Sequence, residues 1–288
     1  GRQLLGQKGA WWVAAGLLLM PPFGWDSLRD QTHTVMVTAM TMGLWWAVLR
    51  QVQKPQVINF VWIGLFCGLG MLSKYSYAML IAALFVASMS VGQVRSALFA
   101  KGWWLAPVVG LLLVAPHAWW LALHWGMATT ETVQKMSISA EVSHLKGLGN
   151  LGKALISAMG LWLIAVGLGY RSKLWAAASS LPLPERSWAL ALLQRYLLLV
   201  IACLLGMVLL ADVTDFKQRW MLPLVAIAPL ALYVWRPALL EPGAGKVFTG
   251  LVLVFALIFL LLLQLCSMVL VPRNDKAEDS TLNTVVFG

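Results

Sequence analysis

Residues 247–271 form a run of 25 residues without a single charge. A helix crosses the hydrocarbon core of a bilayer with about 20 predominantly apolar residues. This run therefore commits the chain to lipid, and it has company. Eight further apolar segments lie at 9–24, 33–49, 57–72, 75–93, 103–123, 152–170, 196–211 and 220–235. Charged residues make up 11% of the chain, against about 25% in soluble domains. Lipid offers no hydrogen-bond partner to open backbone, so each segment is expected to be a helix. The expected fold is all-α: a polytopic transmembrane helix bundle of about nine spans over residues 1–271, followed by a polar tail at 272–288. Segments three and four are separated by Ser73–Lys74 and read as a tight helical hairpin. Segments 196–211 and 220–235 are short and need flanking residues to complete them.

The net charge of +10 raises the question of nucleic acid, and the distribution of charge answers it. With the N-terminus in the cytoplasm and the spans alternating, the cytoplasmic loops hold 12 basic and two acidic residues, and the opposite face holds nine of each. A Lys/Arg excess on the cytoplasmic side is the ordinary orientation signal, so no nucleic-acid partner is implied. Nine of the 11 acids fall on the non-cytoplasmic face. Trp prefers the membrane–water interface, and Trp11, Trp12, Trp45, Trp46, Trp103, Trp104, Trp125, Trp220 and Trp235 stand at segment ends. Cys67, Cys203 and Cys266 lie inside apolar segments and read as core residues, with neither a disulfide frame nor a metal-ligand spacing. The chain begins at Gly1, and a longer parent protein is expected.

Chemistry concentrates on the outer face. Asp212–Pro223 places four ionisable side chains, Asp212, Asp215, Lys217 and Arg219, between two uncharged segments. Charges at such a place mark either a helix leaving the bilayer or a site that holds something charged. Lys217 reads as a surface residue. Arg219 reads as a site residue, since a guanidinium grips phosphate with two parallel hydrogen bonds. His33, His117, His124 and His144 also fall at or near this face. Carboxylates, imidazoles and fixed cations together suit an anionic substrate and general-base work. Asp26 and Asp30 follow Pro21–Pro22, where helix breaks. They are either loop residues, with Asp30 an N-cap, or a catalytic and a sugar-binding carboxylate. Lys74 either snorkels its ammonium to the interface or binds a lipid phosphate; the small neighbours Gly68, Gly70 and Ser73 favour the second. His117, after the kinking Pro116, is either a hydrogen-bonded core histidine or a substrate ligand. The loop 126–150 is the one long outer connection and reads as functional. No Gly-rich phosphate loop, Cys/His metal spacing or serine nucleophile elbow occurs.

The motifs have a familiar order. A helix ends in Pro, an Asp heads the next helix, and then come Gly68-Leu-Gly-Met-Leu-Ser-Lys-Tyr75, Ala115-Pro-His-Ala-Trp-Trp120 and Asp215-Phe-Lys-Gln-Arg-Trp-Met-Leu-Pro223. This order resembles the GT-C-type membrane glycosyltransferases, the group related to protein O-mannosyltransferases and aminoarabinose lipid A transferases. The likeness is greatest to bacterial members acting on envelope glycolipids. It covers almost the whole chain, and its specificity lies in the order of the motifs rather than in any one of them. The resemblance implies an inverting hexosyl- or pentosyltransferase. It would take sugar from a polyprenyl-phosphate carrier on the periplasmic face of the inner membrane and pass it to a glycolipid, lipid A, core or protein acceptor. It further implies Asp30 as the catalytic carboxylate with Asp26 beside it, Lys74 and Arg219 at the carrier phosphate, and His117 in a substrate-binding position without a named role. No cofactor is fixed by this likeness; a divalent metal is left open. The family's first outer loop, which carries its principal acidic catalytic motif, commonly an Asp-Glu pair, is expected to have no counterpart in this chain. The chain is expected to start at the family's third helix as a GT-C-like partial fold. Two rival classes remain at this point: a lipid transporter or flippase, and a non-enzymatic membrane relative.

Overall fold

The computed structural model describes residues 1–23, 33–124, 144–176, 187–241, 243–262 and 264–265. Asp26 and Asp30 lie outside them, as does most of the 126–150 loop. The described residues are helical, in the order α1 Arg2–Leu18, α2 His33–Gln53, α3 Val57–Ser73, α4 Tyr77–Ser90, α5 Gly92–Leu98, α6 Leu105–Leu123, α7 His144–Ala176, α8 Ser187–Leu210, α9 Gln218–Val225 and α10 Ala228–Trp235. A short 3-10 turn at Pro237–Leu240 precedes α11, Lys246–Leu262. The expected helical membrane bundle is what forms.

α2 and α3 make an antiparallel hairpin whose closed end is tied by amides. The Gln51 side-chain amide is buried there: its Nε2 donates to the Ala97 carbonyl at 3.0 Å. Its Oε1 accepts from the Gln56 backbone N–H at 3.1 Å and from Asn59 Nδ2 at 3.0 Å. Asn59 Nδ2 also donates to the Lys54 carbonyl at 2.9 Å. One buried glutamine thus satisfies the turn and fastens it to α5. α4 runs back towards this end, where it meets α5 at 114°, because Val91 adopts an extended backbone between them. That turn returns the chain to the closed end of the hairpin, so α6 runs parallel to α3. The two helices pack through small residues. A Cβ on Gly64 would overlap the Ala106 carbonyl oxygen, and one on Gly68 would press into Leu113. Close approach through glycine is the usual way helices bind in lipid, where apolar side chains gain nothing by leaving the tails. α6 has no buried residue at all, and its Leu111, Leu112, Trp119 and Leu123 are exposed.

The apolar segment 220–235 is not one span. It breaks into α9 and α10 at Ala226–Ile227. Pro223 lies inside α9 and Pro229 at the start of α10. Pro229 has no N–H for the Val225 carbonyl. At the same break, the Tyr196 hydroxyl of α8 donates to the Leu224 carbonyl at 3.1 Å. Every residue from Met221 to Ala231 is buried. Irregular backbone at membrane depth is tolerated where protein surrounds it, and here α2, α7, α8 and α1 do so. Hydropathy sums over a window and does not register such a break.

Other boundaries move as well. Among the described residues four helices, His33–Gln53, Leu105–Leu123, His144–Arg171 and Ser187–Leu210, are long and apolar enough to span alone, and the bent α4–α5 pair, taken as one span, adds a fifth; α3 and α11 are shorter apolar helices. The expected short segment 196–211 is completed upstream to 24 residues, with Arg195 reaching the Ser90 carbonyl. Pro116 sits within α6, which continues past it to Leu123.

The glycine contacts separate two substitutions. Gly64→Ala forces α3 and α6 apart and is expected to lower stability by about 1–3 kcal/mol. Gly149→Ala on α7 meets nothing within 4 Å and is expected to leave stability unchanged or slightly raised. Thermal unfolding of the two variants in the same detergent measures the difference.

Candidate functional site

Among the described residues, one end of the bundle holds Lys74, Asp212, Lys217 and Arg219, all of them charges that the sequence assigned to the outer loops. The hairpin between α3 and α4 is closed by backbone bonds: the Lys74 N–H donates to the Gly70 carbonyl at 3.1 Å, and the Lys74 carbonyl accepts from the Tyr77 N–H at 3.0 Å. Lys74 itself is extended, at φ −165° and ψ 127°, and half-buried. The small residues before it do not make room for a ligand, as the sequence suggested. Gly68 receives Leu113 of α6, and Gly70 lies under the Tyr77 ring. Ser73 Oγ donates to the Leu69 carbonyl at 2.8 Å. Their smallness serves helix packing and so fixes where Lys74 stands.

The second half of the site is the linker Ala211–Lys217 and the first turn of α9. Asp212 occupies the left-handed region at φ 52°, which Asp tolerates better than most residues. The linker is then sewn down. The Val213 N–H donates to the Met207 carbonyl at 3.0 Å, and Asn150 Nδ2 donates to the Thr214 carbonyl at 2.8 Å. Gly147 lets α7 approach the Val213 carbonyl. His144 Nδ1 lies 3.1 Å from the Val208 carbonyl and 3.9 Å from Asp212 Oδ1. Val213, Thr214 and Phe216 are buried. Lys217 ends the extended stretch at φ −99° and ψ 136° as the N-cap residue of α9.

Trp220 joins the halves. Lys74 Nζ lies 5.6 Å and Lys217 Nζ 5.9 Å from its ring centroid, both at cation–π distance. Burial first, and the Arg219 guanidinium second, together pull the Lys74 ammonium down from 10.5 to about 8. Lys74 and Arg219, read from separate motifs as partners at a phosphate, are therefore close enough to feel each other. Among the described residues none of Lys74, Lys217 and Arg219 pairs with a carboxylate. Three cations that no described carboxylate neutralises can hold an anion supplied from outside.

Beside this clasp runs a ladder of rings. Tyr75 Oη and His117 Nε2 are 2.7 Å apart, and the two rings stack at 5.8 Å. His117 stacks on Trp120 at 6.0 Å, and Trp120 on His124 at 4.7 Å. His124 Nδ1 is held by the Trp120 carbonyl at 2.9 Å. Positions 117, 120 and 124 share one face of a helix. His117 is thus a hydrogen-bonded residue, and its partner comes from the hairpin that carries Lys74. Sequence reading did not single out Tyr75, Trp120 or the role of Trp220. The signal was adjacency: Tyr75 follows Lys74, and Trp220 follows Arg219 with a lysine three places before it. No group of three or more His, Cys, Asp or Glu among the described residues is disposed to hold a metal ion.

Residues 1–120 match the family described as dolichyl-phosphate-mannose-protein mannosyltransferase. The chain is 30% identical to the lipopolysaccharide core galacturonosyltransferase RgtB of Rhizobium johnstonii over 219 residues, which are 75% of this chain and 43% of that protein. It is 24% identical to RgtA of the same organism, also named a lipopolysaccharide core galacturonosyltransferase, over 74% of this chain and 43% of that protein. The chain therefore spans less than half the length of the curated relatives it matches. No solved structure matches it. These similarities support its assignment to the GT-C-type membrane glycosyltransferases, the family that the motifs resembled.

The Lys74 ammonium gives the site a pH signature. Folding lowers its pKa, so between about 8 and the ordinary 10.5 the unfolded chain binds more protons, and the Lys74 contribution to stability rises with pH across that window. The clasp loses a cation over the same range. Amine acetylation followed by mass spectrometry is expected to show Lys74 half-reactive near pH 8, and Arg219→Gln is expected to move that midpoint upward.

Proposed function

We propose that this chain is the donor-holding part of an integral membrane glycosyltransferase. In this reading a hexosyl or pentosyl residue passes from a polyprenyl-phosphate carrier to an envelope acceptor on the periplasmic face of the inner membrane. The observation that carries it is the meeting of Lys74 with Arg219 beside Trp220, from helices far apart in sequence. A phosphodiester is an oxygen-rich anion. Arg219 offers it a planar fork of donors and Lys74 a point charge. Both cations also favour departure of the phosphate, since they stabilise the charge that accumulates on it as the glycosidic bond breaks.

The relatives are named for lipopolysaccharide core and for galacturonate, a sugar bearing a carboxylate. A glycolipid or core acceptor and an acidic sugar are accordingly the substrate classes proposed here. A protein acceptor fits the same clasp. Asp30 is assigned as the base that takes the proton of the acceptor hydroxyl, with Asp26 binding sugar. In sequence Asp30 stands three residues before His33, the residue that opens α2 at the clasp's end of the hairpin. His117 is assigned to substrate binding, held upright by Tyr75. A divalent metal stays an open part of the reading. A flippase is less well supported: the broken helix α9–α10 resembles transporter architecture, yet its buried part, Met221–Ala231, carries no charge.

The test is transfer of radiolabelled sugar from a polyprenyl-phosphate donor by the full-length protein in native membranes. Lys74→Ala and Arg219→Ala are each expected to cost about tenfold or more in kcat/KM, equivalent to about 1.4 kcal/mol of lost anion binding. Undiminished turnover in both variants counts against the assignment. Directional movement of labelled lipid without sugar transfer would favour the transporter.

A further inference from the structure

The clasp carries more positive charge than a carrier phosphate can balance. A sugar linked through a phosphodiester presents one negative charge at phosphorus. Lys74, Lys217 and Arg219 bring three cations to one site, and among the described residues none is paired with a carboxylate. Lys74 and Arg219 act on each other directly, as the lowered Lys74 ammonium shows. They make a like-charge pair that a single phosphate relieves. Lys217 is the third cation. It is exposed, it stands at the N-cap of α9, and its ammonium lies 5.9 Å from the ring that Lys74 also faces. The two ammonium groups are therefore no further apart than the sum of their distances to that ring. A second anion one pyranose ring away from the phosphate lies within that span.

We infer that Lys217 is a specificity-determining residue that recognises a carboxylate on the transferred sugar, while Lys74 and Arg219 hold the carrier phosphate. The inference rests on the donor reading given under Proposed function and extends it to a division of labour within the clasp. Lys217 suits the role. Its position is set by a linker sewn to α7 and α8, through Asn150 with the Thr214 carbonyl and the Val213 N–H with the Met207 carbonyl. Its four-carbon stem and exposed head still allow the ammonium to follow a sugar that changes pucker. A cation that no described carboxylate pairs, standing beside two others, costs Coulomb energy until an anion arrives, so a donor with two negative charges gains more from this site than one with a single charge. Discrimination by charge is also steep: a group built to meet an anion is left unsatisfied by a neutral analogue.

Galacturonate and galactose differ only in having a carboxylate or a hydroxymethyl group at C6, which makes them the probe. The full-length protein in native membranes is given polyprenyl-phosphate-linked galacturonate and polyprenyl-phosphate-linked galactose in separate reactions, and kcat/KM is measured for each. Wild type is expected to favour galacturonate by about tenfold or more. Lys217→Gln is expected to collapse that ratio towards one, chiefly through KM for galacturonate, and Lys217→Arg to restore most of it. Equal losses on both donors in Lys217→Gln would show that Lys217 serves the phosphate or the fold, and would overturn the inference. So would a wild-type preference for galactose, which leaves the wider donor reading standing. Transfer of neither sugar by wild type, with Lys74→Ala and Arg219→Ala equally silent, takes down the donor reading itself.

Discussion

Backbone hydrogen bonding in lipid governs this molecule. Within the hydrocarbon layer an unpaired carbonyl costs several kcal/mol, and the break between α9 and α10 lies where protein covers it. The break between α9 and α10 is lined by buried residues from Met221 to Ala231, with the Tyr196 hydroxyl on the Leu224 carbonyl. Because the helix is broken there, α9 is short, and its first turn carries Lys217, Arg219 and Trp220 at the edge of the bundle. A straight helix over the same residues would have no reason to present that turn differently from any other membrane-crossing helix. The central backbone break and the cation-bearing edge are two ends of one eight-residue helix.

Electrostatics supplies the second constraint. Proteins avoid gathering like charges unless something repays the repulsion. Here Lys74 comes from the α3–α4 hairpin, and Lys217 and Arg219 come from a linker that α7 and α8 hold in place. The indole of Trp220 offsets part of the repulsion by presenting its electron-rich face to two ammonium groups. The opposite end of the bundle uses similar pairs differently. Arg50 over Trp46 and Arg236 over Trp235 set single cations on single rings, the arrangement of a membrane boundary. The difference between the ends is one of number and convergence, not of residue type.

Much of this was legible in the sequence, for reasons that can be named. Uncharged runs of spanning length announced helices, and the sparse charges had few places to go, so Lys74 and Arg219 stood out as cations between greasy segments. Their convergence followed from assigning both to the outer face. What sequence hid was local geometry. Hydropathy is blind to the Pro223–Pro229 break, because both halves are equally apolar. Gly68, Gly70 and Ser73 looked like room for a ligand and are contact points for Leu113, Tyr77 and the α3 backbone; composition does not say which neighbour a small residue admits. Lys217 was read as a surface residue, and it is exposed, yet its head shares a ring with Lys74. His117 showed its Pro-His motif but not its partner, since Tyr75 lies 42 positions away. Asp26 and Asp30 fall outside the described residues, so their assignment still rests on the motif order.

α6 leans on α3 through glycines and buries none of its own side chains. Among the described residues most of its circumference is left uncovered, and its far end is pinned beside the cation clasp by the Tyr75–His117 contact. On the donor reading proposed above, that flank of the bundle would be a lateral doorway. A head group tethered to a long isoprenoid would arrive by drifting in two dimensions, its tail never surrendering the bilayer, and the search for the clasp would be confined to a plane rather than a volume.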